Sequence, residues 1–189
     1  MRFYHINAVV LKRINVGEAD RLLIVYSKEL GKLRLIGKGL RKITSRRSAH
    51  LEIFTQSSMV IRDSKTLPNI TEVSSLYSFK TIRGDFRKIA ICYHLSEIID
   101  KLLPDGEKNE YVYTMFADFL KKLDEDEIPK VIRASVRLFV HDIFSNLGYL
   151  NNARPFTYSQ LLGEIEGVIE RPLATVKLLH TISSPSTTS

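Results

Sequence analysis

The stretch ADRLLIVYSKELGKLRLIG, residues 19–37, carries the clearest structural signal in the chain. Residues 19–27 form an apolar run, and residues 31–37 alternate between apolar and polar side chains with a period of two, which is the pattern of a half-buried strand. The link of residues 28–31 is short enough for a hairpin, with Gly31 supplying a positive φ. This stretch therefore predicts two antiparallel strands joined by a tight connection.

Three further strands are predicted, one before this hairpin and two after it. Residues 5–13 are rich in β-branched and aliphatic side chains, and residues 14–18 contain the Asn and Gly of a turn. Residues 51–63 and 70–79 form two later strands. Five short strands, with no helix pattern interrupting the first three, favour a small closed barrel over a βαβ sheet. A five-stranded OB-type barrel is the simplest member of that class, and an SH3-like barrel is the structural alternative.

The second part of the chain has helical periodicity, so the whole is predicted to be an α+β protein with a barrel followed by an α-helical domain. The predicted domains are residues 1–80 (OB-fold domain) and 81–182 (helical domain), with a disordered polar tail at 183–189. The predicted helices are residues 81–103, 109–123, 128–149, 158–170 and 172–181.

Charge is distributed unevenly along the 189 residues. The net charge of +7 arises from residues 1–81, where 15 Lys and Arg stand against 6 Asp and Glu (+9), while the remainder carries −2. This asymmetry indicates that the first half meets a polyanion, although a merely basic soluble domain would look similar. The single cysteine, Cys92, excludes a disulfide framework and a Cys-rich zinc site. Neither a signal peptide nor a membrane-spanning segment is expected, so no membrane contact is predicted.

The most basic stretch is KELGKLRLIGKGLRKITSRR, residues 28–47, with eight cations and one acid. Side chains two apart on a strand share a face, and glycines let a backbone approach a phosphate closely. Cations spaced in this way bind successive phosphates with sequence-independent, salt-sensitive affinity, whereas the alternative is a solvated loop. The predicted DNA-binding residues are Lys32, Arg34, Lys38, Arg41, Lys42, Arg46 and Arg47.

Catalytic patterns are weak. The five histidines are scattered, and none belongs to a metal-binding motif. Glu18 and Asp20 are expected to form ion pairs with Arg21, Lys12 or Arg13 rather than to act as acid and base. An enzyme is therefore the least expected class, with no catalytic residues, metal or cofactor predicted.

A family resemblance emerges from the order of motifs in the N-terminal half. Gly17-Glu18 and Asp20 precede an apolar strand, a Gly-Lys strand leads into Lys38-Gly39 and Arg41-Lys42, and a Ser-Arg pair precedes Leu51-Glu52 with Phe54. This order resembles the signature of the bacterial recombination mediator RecO. In the helical half, the segment LFVHDIFSNLGY, residues 138–149, resembles the family's helix that ends in Leu-Gly-Tyr.

The resemblance implies an N-terminal OB fold and a helical domain that bind single- and double-stranded DNA and anneal complementary strands. It further implies work with RecR and the single-stranded-DNA-binding protein in loading recombinase during DNA repair, in the cytoplasm and at the nucleoid, without catalytic residues. By match, Lys38, Arg41, Lys42, Arg46 and Arg47 inherit the DNA contacts. Local composition suggests Arg133 and Arg137 as contacts for the acidic tail of the single-stranded-DNA-binding protein.

Two features depart from the family pattern. Some members hold zinc with cysteines after Leu-Gly-Tyr, but residues 151–155 here are NNARP, so no zinc is expected. The chain is also short for the family, and its last helices are thin.

Two other functions fit the residues. An RNA-binding or ribosome-associated OB protein would also contact phosphates through Lys and Arg. A scaffold whose basic face binds an acidic protein tail would show the same charge pattern.

Overall fold

The computed structural model describes residues 2–125, 132–150 and 156–183. The chain forms two compact units. One contains the residues up to 79 together with residues 103–118, and the other contains residues 80–102 and the described residues from 119 onward. The predicted domain boundary at residue 80 remains a prediction, because a compact unit of contacts is not yet an independently folding domain.

Five strands close into a ring in the first unit, in the order β1-β2-β3-β5-β4. Neighbouring strands are antiparallel except β3 and β5, which meet in a parallel pair at Ile36 and Asn69. The predicted α+β architecture, with a five-stranded OB-type N-terminal half followed by helices, is confirmed. The strands are β1 (Phe3–Val16), β2 (Asp20–Ser27), β3 (Gly31–Gly37), β4 (Gln56–Arg62) and β5 (Asn69–Tyr77).

Alternating side chains fill the inside of the ring, because successive residues of a strand point to opposite faces. Val10, Leu23, Val25 and Leu35 are completely buried there, and further aliphatic residues from β1, β4 and β5 complete the core. β1 is long enough to pair with both β2 and β4, and its register shifts between Val10 and Lys12. This irregularity lets one strand bend and serve two neighbours.

The strand predicted over residues 51–63 begins five residues later than expected. A 3-10 helix occupies Ser48–Leu51, and Phe54 adopts a positive φ of 66° before β4 begins at Gln56. The backbone at Phe54 donates to the carbonyl of Val10 at 2.8 Å, and Val10 donates back to Thr55 at 3.1 Å. The apolar residues Leu51 and Phe54 are thus buried by a turn against β1 instead of by strand alternation.

Residues 103–118 pack on the β2–β3 hairpin within the same unit. Gly31 has a φ of 69°, and a Cβ atom there would lie 2.0 Å from the carbonyl oxygen of Glu107. The Gly106 amide donates to the carbonyl of Lys32 at 2.8 Å, and the Tyr26 hydroxyl donates to the carbonyl of Asn109 at 3.1 Å. The predicted glycine turn is confirmed, and its absent side chain also admits a second segment.

Six helices follow the ring in the described residues. The helix predicted over residues 81–103 is two helices, because the carboxylate of Asp85 caps a new one by accepting from the amides of Arg87 (2.7 Å) and Lys88 (3.4 Å). The helices are α1 (Lys80–Gly84), α2 (Phe86–Leu102), α3 (Glu110–Asp124), α4 (Ile132–Asn146), α5 (Tyr158–Ile169) and α6 (Val176–Ser183).

Buried polar groups join α2 to α5 and α6 in the second unit. His94 is completely buried; its Nδ1 lies 2.7 Å from the hydroxyl of Thr175, and its Nε2 contacts the hydroxyl of Tyr158. Thr175 donates that hydroxyl to the Glu97 carboxylate at 2.6 Å, so it can only accept from His94. A neutral His94 therefore carries its proton on Nδ1 and accepts from Tyr158 at Nε2.

Residues 126–131, 151–155 and 184–189 lie outside the described residues, and with them the start of the helix predicted over residues 128–149, the segment without cysteines and most of the predicted tail. The expected glycine stop of α4 is confirmed, since Gly148 has a φ of 81° and the Tyr149 amide donates to the carbonyl of Phe144 at 3.0 Å. No helix in the described part of the chain is long and apolar enough to cross a membrane.

Candidate nucleic-acid interface

The loop of residues 38–47, between β3 and the 3-10 helix, forms a cationic concavity that we call the basic loop. The concavity has a volume of about 490 Å³. Lys38, Lys42 and Arg46 are exposed there, and no side-chain hydrogen bond or ion pair holds them within the described residues. Its lining residues are Lys38, Gly39, Lys42, Thr44, Ser45, Arg46 and Arg47. Three unneutralised cations around one hollow, with hydroxyls beside them, suit a phosphate chain.

The turn between β1 and β2 holds one side of the basic loop. The Asp20 carboxylate accepts a hydrogen bond from the Gly39 amide at 2.8 Å. Arg41 donates its guanidinium to the carbonyl of Gly17 at 2.6 Å and its amide to the carbonyl of Ala19 at 2.9 Å. Gly17 and Asp20 of the turn thus contact Arg41 and Gly39 of the basic loop, although nineteen or more residues separate the partners in sequence.

Arg47 holds the opposite side of the basic loop. Its guanidinium donates to the carbonyl of Ile70 on β5 at 3.0 Å and to the carbonyl of Lys38 at 2.8 Å. Leu40 is buried under the loop, and it packs so closely on Gly37 that a Cβ atom there would lie 2.1 Å from its side chain. The basic loop is therefore attached to the ring by an acid, two arginines and one apolar anchor.

Asp20 was expected to form an ion pair with a neighbouring cation, and this was wrong. Its carboxylate accepts from a backbone amide of the basic loop, because the tight β1–β2 turn points it across at Gly39. Sequence reasoning also missed that Glu52 pairs with Arg13 and lies 4.0 Å from Arg21. The acids Asp20 and Glu52 belong to the motif and were the sequence signal for these contacts. Their partners could not be identified beforehand, because they are distant in sequence.

Lys32 and Arg34, the two predicted cations of β3, lie apart from the hollow. As expected, they share one strand face, and both reach Asp105: the Lys32 ammonium is 3.3 Å from Oδ1 and the Arg34 Nε is 2.7 Å from Oδ2. Burial alone would raise the pKa of Asp105, but hydrogen bonds and charge from Arg34 and Lys32 outweigh it and hold that pKa below its usual value. Lys32 is only 5% exposed. DNA contact by these two residues remains a prediction.

The suggested partner contacts on α4 are placed only in part. The Arg133 side chain lies outside the described residues. Arg137 is partly buried and donates to the carbonyl of Phe156 at 3.2 Å, which ties α4 to the start of α5. A role for either residue in binding a partner remains a prediction.

Across residues 2–125, 132–150 and 156–183, the His, Cys, Asp and Glu side chains form no group of three or more that could hold a metal ion. Cys92 is buried, and that burial raises the pKa of its thiol well above the usual range. The side chains that line the hollow are those of lysines, arginines, a threonine and a serine.

Two family models match this chain. One, described as "Recombination protein O N terminal", matches residues 1–79, and the other, "Recombination protein O C terminal", matches residues 83–152. Together they cover the strand ring and the helices α2, α3 and α4.

Several curated relatives carry the same name. A protein from Heliobacterium modesticaldum, "DNA repair protein RecO", is 39% identical over 56% of this chain and 38% of its own length. Proteins of the same name from Thermoanaerobacter sp. strain X514 (30% identical over 79% of this chain and 60% of the relative) and Roseiflexus sp. strain RS-1 (28% over 78% and 51%) are also similar. The chain spans about half the length of the curated relatives it matches.

Proposed function

This chain belongs to the recombination protein O (RecO) family, and from that premise we propose that it is a DNA-binding protein of repair and recombination. It holds DNA strands on the basic loop and leaves their covalent bonds unchanged. The exposed Lys38, Lys42 and Arg46 around one hollow are the observation that carries this proposal.

Phosphate binding is the chemistry that best fits this hollow. Cations that pair with no acid of their own protein keep their full charge for a ligand, and a phosphate chain supplies negative charge at regular intervals. Because single- and double-stranded DNA both present backbone phosphates, the proposal includes binding to both forms. Neutralising the phosphates of two strands also lowers their repulsion, which favours annealing.

The seven predicted cations then contribute unequally. Lys38, Lys42 and Arg46 make the direct contacts. Arg41 and Arg47 contribute mainly through the shape of the basic loop, because their guanidinium groups already bind carbonyl oxygens. Lys32 and Arg34 contribute least, since Asp105 neutralises much of their charge.

Family membership further supports a mediator role. In this proposal the protein works with RecR and with the single-stranded-DNA-binding protein to load recombinase, acts on nucleoid DNA in the cytoplasm, and turns over no nucleotide. Arg133 and Arg137 are the proposed contacts on α4 for the acidic tail of the single-stranded-DNA-binding protein.

The decisive experiment reverses the three free charges of the basic loop. The variant Lys38→Glu/Lys42→Glu/Arg46→Glu is titrated against labelled single-stranded and duplex oligonucleotides at several salt concentrations, with fluorescence anisotropy as the measurement. We expect affinity to fall by about 30-fold or more at low salt. Each lost phosphate contact on a single strand removes about 0.7 from the slope of log Kd against log salt, so the slope should become shallower by about 2.

A matched control reverses three exposed lysines outside the loop, Lys65→Glu/Lys108→Glu/Lys122→Glu, with an identical change in net charge. This control should lose no more than about threefold in affinity, because it keeps the local contacts. Equal losses in the two variants, or an unchanged salt slope in the loop variant, would contradict the proposal. Competition with RNA of the same sequence tests the ribosomal alternative, and competition with an acidic peptide tests the scaffold alternative.

A further inference from the structure

Ile43, in the middle of the basic loop, has a completely exposed side chain, with a relative accessibility of 105%. The other large apolar side chains on the described surface keep partial cover, with accessibilities between 38% and 59%. Single exposed apolar residues are common on proteins, but one without any protein contact gains nothing from the fold. A reason for isoleucine at this position must come from outside the chain.

Local backbone geometry does not require isoleucine either. The Lys42 amide donates to the carbonyl of Gly39 at 3.2 Å and the Ser45 amide to the carbonyl of Lys42 at 2.9 Å, so two turns follow each other and Ile43 is a central residue of the second. Central turn positions favour Gly, Pro, Asn, Asp and Ser, whereas β-branched side chains prefer strands. Isoleucine here runs against local preference, as residues at functional positions do.

The frame that presents Ile43 is fixed on both sides. Asp20 and Arg41 attach the start of the basic loop to the β1–β2 turn, and Arg47 attaches its end to β5. The other apolar residue of the loop, Leu40, is buried as an anchor. The loop therefore holds a single apolar side chain outward on a braced support.

The chemistry around Ile43 specifies what it touches. Its neighbours Lys42 and Thr44 line the cationic hollow, so the ligand carries repeated negative charge. The same ligand must offer an apolar surface within one side chain's length of that charge. A nucleic-acid strand has both, since each phosphate lies close to the face of a base. Residues 38–47, KGLRKITSRR, contain no aromatic side chain on which a base could stack, so this contact falls to Ile43.

We propose that Ile43 is a base-contacting wedge, which inserts against the face of a nucleobase and separates it from its stacked neighbour while the flanking cations hold the phosphates. This inference rests on the proposed function and adds to it a preference for unstacked DNA. Aliphatic side chains are known to separate base steps in this manner. A strand whose bases are already separated is also the form in which complementary strands can search for each other.

The test uses an oligonucleotide with 2-aminopurine at several positions, because the fluorescence of this base rises when it leaves the stack. The full chain is compared with Ile43→Ser, with the conservative Ile43→Leu, and with the exposed control Leu76→Ser on β5. Anisotropy of an end label reports binding in the same titration. We expect Ile43→Ser to lose at least half of the fluorescence rise at saturation, with Kd raised no more than about threefold, because the phosphate contacts remain. Ile43→Leu and Leu76→Ser should behave like the unaltered chain.

Each outcome has a distinct meaning. A full fluorescence rise in Ile43→Ser, at normal binding, overturns the wedge and leaves the proposed function intact. The absence of any anisotropy change with the unaltered chain overturns the proposed function and the wedge together. Loss of the rise in Leu76→Ser to the same extent also overturns the wedge, since the effect would then not be specific to the basic loop.

Discussion

Gly31 is a residue with two separate constraints, a left-handed backbone and a crowded neighbour. Its φ is 69°, and the space of a Cβ atom is taken by the Glu107 carbonyl at 2.0 Å. Gly31→Ala should therefore destabilise the protein by about 2–4 kcal/mol, from backbone strain plus displacement of residues 103–118. Thermal and urea unfolding of the variant measure this loss.

Gly17 separates the two causes. Its φ is 55°, but a Cβ atom there meets nothing within 4 Å. Gly17→Ala should cost only about 1 kcal/mol, which is the strain alone. If both variants lose the same free energy of unfolding, then the close approach of Glu107 to Gly31 does not contribute to the effect of Gly31→Ala.

The cations of the basic loop were predictable one residue at a time, but their separate roles were not. Composition alone marked Arg41, Lys42 and Arg47 as equivalent candidates. Their difference depends on partners such as Gly17 and Ile70, which lie more than twenty residues away and approach only when the ring closes. Hydropathy patterns contain no information about which carbonyl an arginine will meet.

Strands and helices were predictable as elements because each repeats its own period. The start of β4 and the break between α1 and α2 were not, because both depend on single residues. Phe54 is buried through a positive φ that apolar residues rarely adopt, and Asp85 acts as a cap inside an otherwise continuous helical pattern. The capping aspartate could have been found beforehand, since Gly84-Asp85 is a helix-start signal.

The polar contacts between α2, α5 and α6 predict a specific acid sensitivity. Burial lowers the pKa of His94 to about 4, against 6.5 in an unfolded chain, so the folded state binds this proton less well. The contribution of neutral His94 to the free energy of unfolding is therefore complete above pH 6.5 and is lost as pH falls from 6.5 towards 4. The total loss is about 3 kcal/mol.

Glu97 acts in the same direction at lower pH. Burial alone would raise the pKa of its carboxyl, but hydrogen bonds from the Thr175 hydroxyl and from the amides of Ala174 and Thr175 outweigh it and lower the pKa. A lowered carboxyl pKa means stability present above its unfolded value and lost on acidification.

Unfolding free energies measured from pH 7 to pH 4 test this sensitivity. The unaltered chain should lose stability along this range, and His94→Gln should start less stable and lose less. His5→Gln, on the exposed surface of β1, should follow the unaltered chain. A His94→Gln variant with the same pH slope as the unaltered chain would show that another group titrates.

At the scale of the whole molecule, the positive field should act on the rate of encounter with DNA. The +7 charge attracts a polyanion beyond contact distance, and salt screens this attraction. Stopped-flow association with a single-stranded oligonucleotide should slow by about tenfold or more between about 0.05 M and 0.5 M salt.

The control variant with Lys65, Lys108 and Lys122 changed to Glu separates this field from local contact. Its net charge falls from +7 to +1. We expect association about two- to threefold slower and an unchanged dissociation rate, because the contacts of the basic loop remain. Faster dissociation in this variant would mean that those lysines touch DNA.

The overall architecture was predictable, but the assignment of residues 103–118 was not. Pattern placed them among the helices, whereas the structure places them with the strand ring. The Gly106 amide, the Asn109 carbonyl and Asp105 all find partners on β2 or β3. A helical period predicts that a segment forms a helix, but it does not predict which other element the helix packs against.

Closure of the strand ring between β3 and β5 depends on very few hydrogen bonds. Ile36 pairs with Asn69 and donates its amide to the Pro68 carbonyl at 2.9 Å, whereas β1 and β2 share eight paired positions. We expect β3 and β5 to separate transiently at this seam before other strand pairs open, so the Ile36 amide should exchange its proton with solvent sooner than the Val25 amide. Lys38 lies two residues from the seam, so opening of the seam would change the spacing between the cations that are proposed to contact DNA.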